Sequence, residues 1–137
     1  MFNFNFQYTY PEIERVTYDN GQRFYLDPVT NHKLPSVTTI LSATSENDFT
    51  QWENRIGITA ANQQRKIGTD IGSLVHDHLE KHILSENRIC GNNIIHVLAK
   101  NMAEVIISNG LNDFQEIWGT ETALYLPELF AGTTDVM

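Results

Sequence analysis

The spacing of apolar residues changes along this chain, and those changes fix the class of fold. At the start, Phe2, Phe4, Phe6, Tyr8 and Tyr10 alternate with Asn3, Asn5, Gln7 and Thr9. Alternation is the period of a half-buried strand, and such an aromatic face ordinarily packs on a core or a neighbouring chain. In the middle, Ile71, Val75, Leu79, His82 and Ile83 recur at helical spacing, as do Ile94, Val97, Leu98, Met102, Val105 and Ile106. The last stretch returns to strand-like runs, Thr120–Leu126 and Leu129–Met137. Strands, then helices, then strands predict an α+β protein.

Local signals divide the chain further. Val16-Thr17-Tyr18 and Arg23-Phe24-Tyr25-Leu26 flank Asp19-Asn20-Gly21, a hairpin whose Asn-Gly supplies positive φ angles. A loop through Asp27-Pro28 and Asn31-His32 follows. Ser36 is placed to cap a short helix from Val37 to about Ala43, and a second helix around Asp48–Ile56 carries Trp52. A third runs from near Thr59 to Leu84, either continuous or interrupted at Gly68 or Gly72. A fourth covers about Asn93–Ser108, with Gly110 as its C-terminal stop. The expected organisation is a single domain over 1–137, with a strand and hairpin region (1–34), a helical region (35–110) and the start of a core sheet (118–137).

Composition excludes some classes. No run of about 18 apolar residues spans a membrane, and the first residues lack the basic start and apolar run of a secretory signal. Cys90 is the single cysteine, so no internal disulfide forms, and a reducing, cytoplasmic compartment is expected. The formal net charge is −8, and residues 101–137 hold no Lys or Arg but include Glu104, Asp113, Glu116, Glu121, Glu128 and Asp135. A nucleic-acid-binding protein usually shows a basic face. Here Arg55, Arg65 and Lys66 gather near the start of the long helical region. Acidity towards the C-terminal end fits a metal site, a surface for a basic partner, or plain solubility.

Two segments carry chemistry. In Gly72-Ser73-Leu74-Val75-His76-Asp77-His78-Leu79-Glu80, His76 lies at the border of the apolar stripe and Glu80 one turn on. A ligand at such a border is held by packing on one side and open on the other, although an i,i+4 His–Glu pair is more often a solvated pair. His78 and His82 do not make the zinc-protease motif, because the glutamate stands one place late. No further Cys or His completes a tetrahedral site, and both are read as structural. In Ala131-Gly132-Thr133-Thr134-Asp135 the aspartate ends an apolar strand. Whether Glu121 shares its face depends on the intervening loop. A two-residue Pro127-Glu128 turn puts the carboxylates on opposite faces, and a three-residue loop puts them on one. The sequence leaves both open and leans to the second.

The order Leu34-Pro35-Ser36-Val37-Thr38-Thr39-Ile40-Leu41, Trp52, Gly72-Ser73-x-x-His76-x-x-x-Glu80, Glu121 and Ala131-Gly132-Thr133-Thr134-Asp135 resembles the PD-(D/E)XK nucleases. The likeness is to their RecB-like branch of phage exonucleases and the mitochondrial genome maintenance exonuclease, over about residues 22–137. It implies the N-terminal part of a restriction-endonuclease-like core and a Mg²⁺- or Mn²⁺-dependent DNA exonuclease of phage-type recombination or replication. By the same resemblance His76, Asp135 and Glu80 are catalytic. His76 and Asp135 ligate metal, Glu121 is a further acidic ligand position, and the Pro-Ser-Val-Thr-Thr-Ile-Leu stretch shapes the entrance. Arg65, Lys66 and Ser73 are the DNA-binding candidates.

The likeness stops short of the family's (D/E)-x-K strand. A second polypeptide or a missing C-terminal half is therefore expected to supply it, with self-association through a sheet edge as another way to cover that edge. Alone, the chain is expected to be inactive or nearly so. The competing reading is a non-catalytic protein that keeps a nuclease framework for DNA binding or for holding a partner.

Overall fold

The computed structural model describes residues 3–4, 8–45 and 49–137. The alternating opening falls largely outside these. Within it, strand β1 is Asn3–Phe4, and Tyr8 and Tyr10 lie in no strand. The architecture is α+β, and the chain divides into two compact units that interleave in sequence. One unit comprises 1–4 and 47–117, the other 5–46 and 118–137.

The second unit is mostly sheet. Strands β2 (Arg15–Thr17) and β3 (Arg23–Leu26) form the expected antiparallel hairpin, with Gly21 at φ 82° in its turn. β4 (Lys33–Pro35) pairs antiparallel with β3, a strand that the sequence reading does not assign. Three residues ending in proline carry no alternation signal, and proline is tolerated there because β4 lies at the sheet's edge. The β3–β4 connection folds around Asp27, whose Oδ1 accepts from the backbone N–H of Val29 at 2.8 Å and Thr30 at 3.1 Å. These donors, Thr30 foremost and then Val29, hold the Asp27 carboxyl below its ordinary pKa.

Helix α1 (Val37–Thr44) starts on its predicted cap: Ser36 Oγ accepts from Thr39 N at 3.0 Å. Thr39 Oγ1 accepts from Arg23 N and donates to Arg23 O, both at 3.1 Å, tying α1 to β3. The run of small hydroxyl residues therefore works as a clasp. Strands β6 (Thr120–Leu126) and β7 (Phe130–Val136) are antiparallel, and Ser36 bridges Ala131 of β7. α1 lies so close to β7 that a Cβ on Gly132 would meet Val37 Cγ2 at 3.2 Å. The core here is Tyr25, Leu34 and Ala131, with Ile13, Ala123 and Tyr125 packed around them. Tyr25 Oη and Thr133 Oγ1 share a hydrogen bond of 2.8 Å.

The first unit is mostly helix. α2 (Phe49–Ile56) packs on α3 (Ile58–Ile83), which runs unbroken through Gly68 and Gly72. α4 (Ile94–Asn109) begins where Asn93 Oδ1 accepts from His96 N at 2.9 Å. A short 3₁₀ turn, Leu111–Asp113, leads to β5 (Glu116–Ile117), which pairs parallel with β1. Gly110 is the C-cap of α4, but at φ −101°. Its lack of a side chain matters because a Cβ would meet Ile106 O at 2.9 Å.

The apolar stripe of α4 stays largely exposed. The residues that α4 buries against α3 are Ala99 and Ala103, in a cluster with Val75 of α3 and with Ile71, Leu74 and Leu79 around it. Ile94 is 81% exposed, Val105 61% and Leu98 45%. Small residues let two helix backbones approach closely, and the face of α4 that carries Ala99 and Ala103 is the one that α3 covers. The stripe on α3 follows the sequence better, with Val75 and Ile83 buried. His78 is buried there too, at 2% exposure, in keeping with a packing role.

Candidate metal centre

The β6–β7 hairpin settles the loop question. Leu126 pairs with Phe130, so the connection Pro127-Glu128-Leu129 has three residues. Leu129 N donates to Leu126 O at 3.1 Å, and Glu128 takes φ 62° after Pro127. Proline followed by a positive φ is the pattern of a type II turn. Thr120↔Val136 and Thr122↔Thr134 bracket Glu121 and Asp135, which therefore stand opposite each other. Opposite residues of an antiparallel pair project to one face. An oxygen of each carboxylate lies within 4.8 Å of one on the other, and both residues are exposed.

That face continues along the hairpin as Ala123 with Thr133 and Tyr125 with Ala131. Those pairs belong to or adjoin the core of Tyr25 and Leu34. The carboxylates occupy the position where the core-facing side of the hairpin runs out into solvent. Glu121 reaches it with φ 47°, a left-handed conformation that an L side chain rarely adopts. Strain of this kind concentrates at functional positions.

The other candidates lie on α3. Placed at helical spacing, Arg65, Lys66, Ser73, His76 and Glu80 fall within a sector of about 100°. Val75 and His78 face the opposite, buried side. Of the five, Arg65, Lys66, Ser73 and His76 are exposed, and Glu80 is half-buried. Lys66 Nζ pairs with Asp70 at 2.9 Å, and Arg65 pairs with Glu53. The neighbouring Asp77 is taken by Lys81 at 2.8 Å.

A feature that the sequence reading does not single out as a site lies where α2 meets α3. Phe49, Trp52, Gln64 and Arg65 line a cavity of about 480 Å³. The Phe49-x-x-Trp52 spacing, about one helical turn, is the signal that points to it.

In comparisons with known proteins, no family model matches the chain, and neither do curated proteins or solved structures. Among the described residues, no helix is long and apolar enough to cross a membrane.

Proposed function

We propose that this chain contributes to a divalent-metal-dependent deoxyribonuclease of the RecB-like exonuclease kind. The observation that carries the reading is the carboxylate pair Glu121 and Asp135 on one face of the β6–β7 hairpin. The motif order quoted above supports it.

His76, Glu121 and Asp135 are the proposed ligand set, Glu121 and Asp135 by their pairing on the hairpin and His76 by the motif order. Two hard carboxylates suit Mg²⁺ or Mn²⁺, and an imidazole favours manganese. When bound, the ion would supply an acidified water and offset charge on a phosphate. The chain's own groups have distinct tasks. Glu121 and Asp135 would fix the position of positive charge, and His76 would contribute an imidazole nitrogen donor. Glu80, one turn from His76 on α3, is the proposed supporting carboxylate. Arg65, Lys66 and Ser73 on the same sector of α3 provide contacts for the DNA backbone.

Three ligands leave the coordination sphere of a hard cation short, and this set lacks the lysine that commonly stabilises charge on the phosphate. A further segment or polypeptide with an Asp/Glu-x-Lys strand is part of the proposal. The test is to mix the chain with such a partner, Mn²⁺ and DNA. Cutting that is lost in both His76→Ala and Asp135→Asn supports the assignment. Cutting that survives both substitutions contradicts it.

A further inference from the structure

We infer that the corner between α2 and α3 is a stacking site for an unpaired nucleobase, so that the DNA bound is single-stranded at this point. The inference deepens the proposed function and rests on it for the choice of nucleic acid as ligand.

Phe49 and Trp52 meet edge-to-face, with ring centroids 6.5 Å apart and planes at 73°. A planar ligand stacked on one ring therefore turns its edge towards the other. Phe49 is 65% exposed, an unusual place for a phenyl ring that gains nothing there from burial. The Arg65 guanidinium lies over the Trp52 ring, 5.4 Å from its centroid. It is held there by Glu53 and by Asn62 Oδ1, which accepts from Nη1 at 3.1 Å. That fixed guanidinium adds a second flat surface. Gln64 completes the lining with an amide that can both donate to and accept from a base edge.

Aromatic platforms with arginine are the usual means of gripping single strands without sequence preference. Local charge agrees. Although the whole chain is strongly acidic, residues 49–70 hold Arg55, Arg65 and Lys66 against Glu53 and Asp70. In duplex DNA the base faces are already stacked on one another and closed to such a corner.

The experiment measures anisotropy of a short fluorescein-labelled oligothymidylate with the full chain, at low salt in EDTA, beside a duplex of equal length. EDTA separates this site from the metal site, so single-strand binding is expected here even if the metal reading fails. The expected result is single-strand binding that Trp52→Leu weakens about five- to 150-fold, the range for loss of one stacked base. Phe49→Leu should weaken it in the same direction, and Trp52→Phe should retain most of the affinity by keeping an aromatic plane. Equal affinity of wild type and folded Trp52→Leu would overturn the inference and leave the Trp52–Arg65 stack as a clip between helices. A preference for duplex, or no single-strand binding by the wild type, would overturn it as well.

Discussion

Glu121 and Asp135 face each other across β6 and β7, with carboxylate oxygens within 4.8 Å, and Glu121 reaches that position from a left-handed backbone. The two facts belong together. At Glu121 a left-handed backbone and a carboxylate pair coincide. The left-handed conformation costs an L residue about 1–2 kcal/mol.

Glu121→Gly should therefore raise stability in metal-free buffer by about 1 kcal/mol, since glycine adopts positive φ freely. The same change should weaken binding of Mn²⁺. Glu121→Gln should weaken the metal equally and leave stability nearly unchanged. Urea unfolding in EDTA, beside a metal titration, separates the two effects. Destabilisation by glycine would show that the backbone at this position is not strained.

The packing of α3 on α4 predicts an inverted response to substitution. Ala103, fully buried against α3, has no room, and Ala103→Leu should cost about 1–3 kcal/mol through overpacking. Leu98, nearly half exposed, should tolerate Leu98→Ser within about 0.5 kcal/mol. Thermal unfolding of the two variants checks this. A large loss for Leu98→Ser with none for Ala103→Leu would restore the arrangement that the apolar stripe predicts.

His78 gives the fold a pH dependence. Burial, and then the nearby Arg88, push its pKa below the ordinary 6.5, with Asp77 opposing and Lys100 and Lys81 adding to the effect. As pH falls, the unfolded chain takes up this proton before the folded one does. The neutral form's contribution is therefore complete above about pH 6.5 and is lost as pH falls through the folded value. His78→Gln, which cannot titrate, should flatten the change in unfolding midpoint between neutral and mildly acidic buffer. An unchanged slope would place the proton elsewhere.

Much of this was legible in the residues, and the exceptions have physical causes. The β2–β3 turn, the Ser36 cap and the approximate ends of α3 follow from short-range signals that tertiary structure reinforces. The facing of Glu121 and Asp135 depended on one loop residue, which only the ladder register decides. Strand β4 carries too few residues to show a period. The apolar stripe of α4 does not say which face packs on α3, because apolar patterning measures bulk, whereas close helix contact selects small side chains such as Ala99 and Ala103. The corner of Phe49, Trp52, Gln64 and Arg65 joins residues of two helices, and no single-segment motif announces it.

The central proposal is that Glu121 and Asp135 hold a divalent cation, with His76 as the further ligand that the motif order implies. The most direct measurement is calorimetric titration of Mn²⁺ into the chain and into His76→Ala, Glu121→Gln and Asp135→Asn, with thermal unfolding at saturating metal. The account predicts binding in the wild type, stabilisation of about 2.7 kcal/mol when free metal is 100 times Kd, and at least a tenfold loss of affinity in each variant. Identical isotherms for the wild type and all three variants would contradict it.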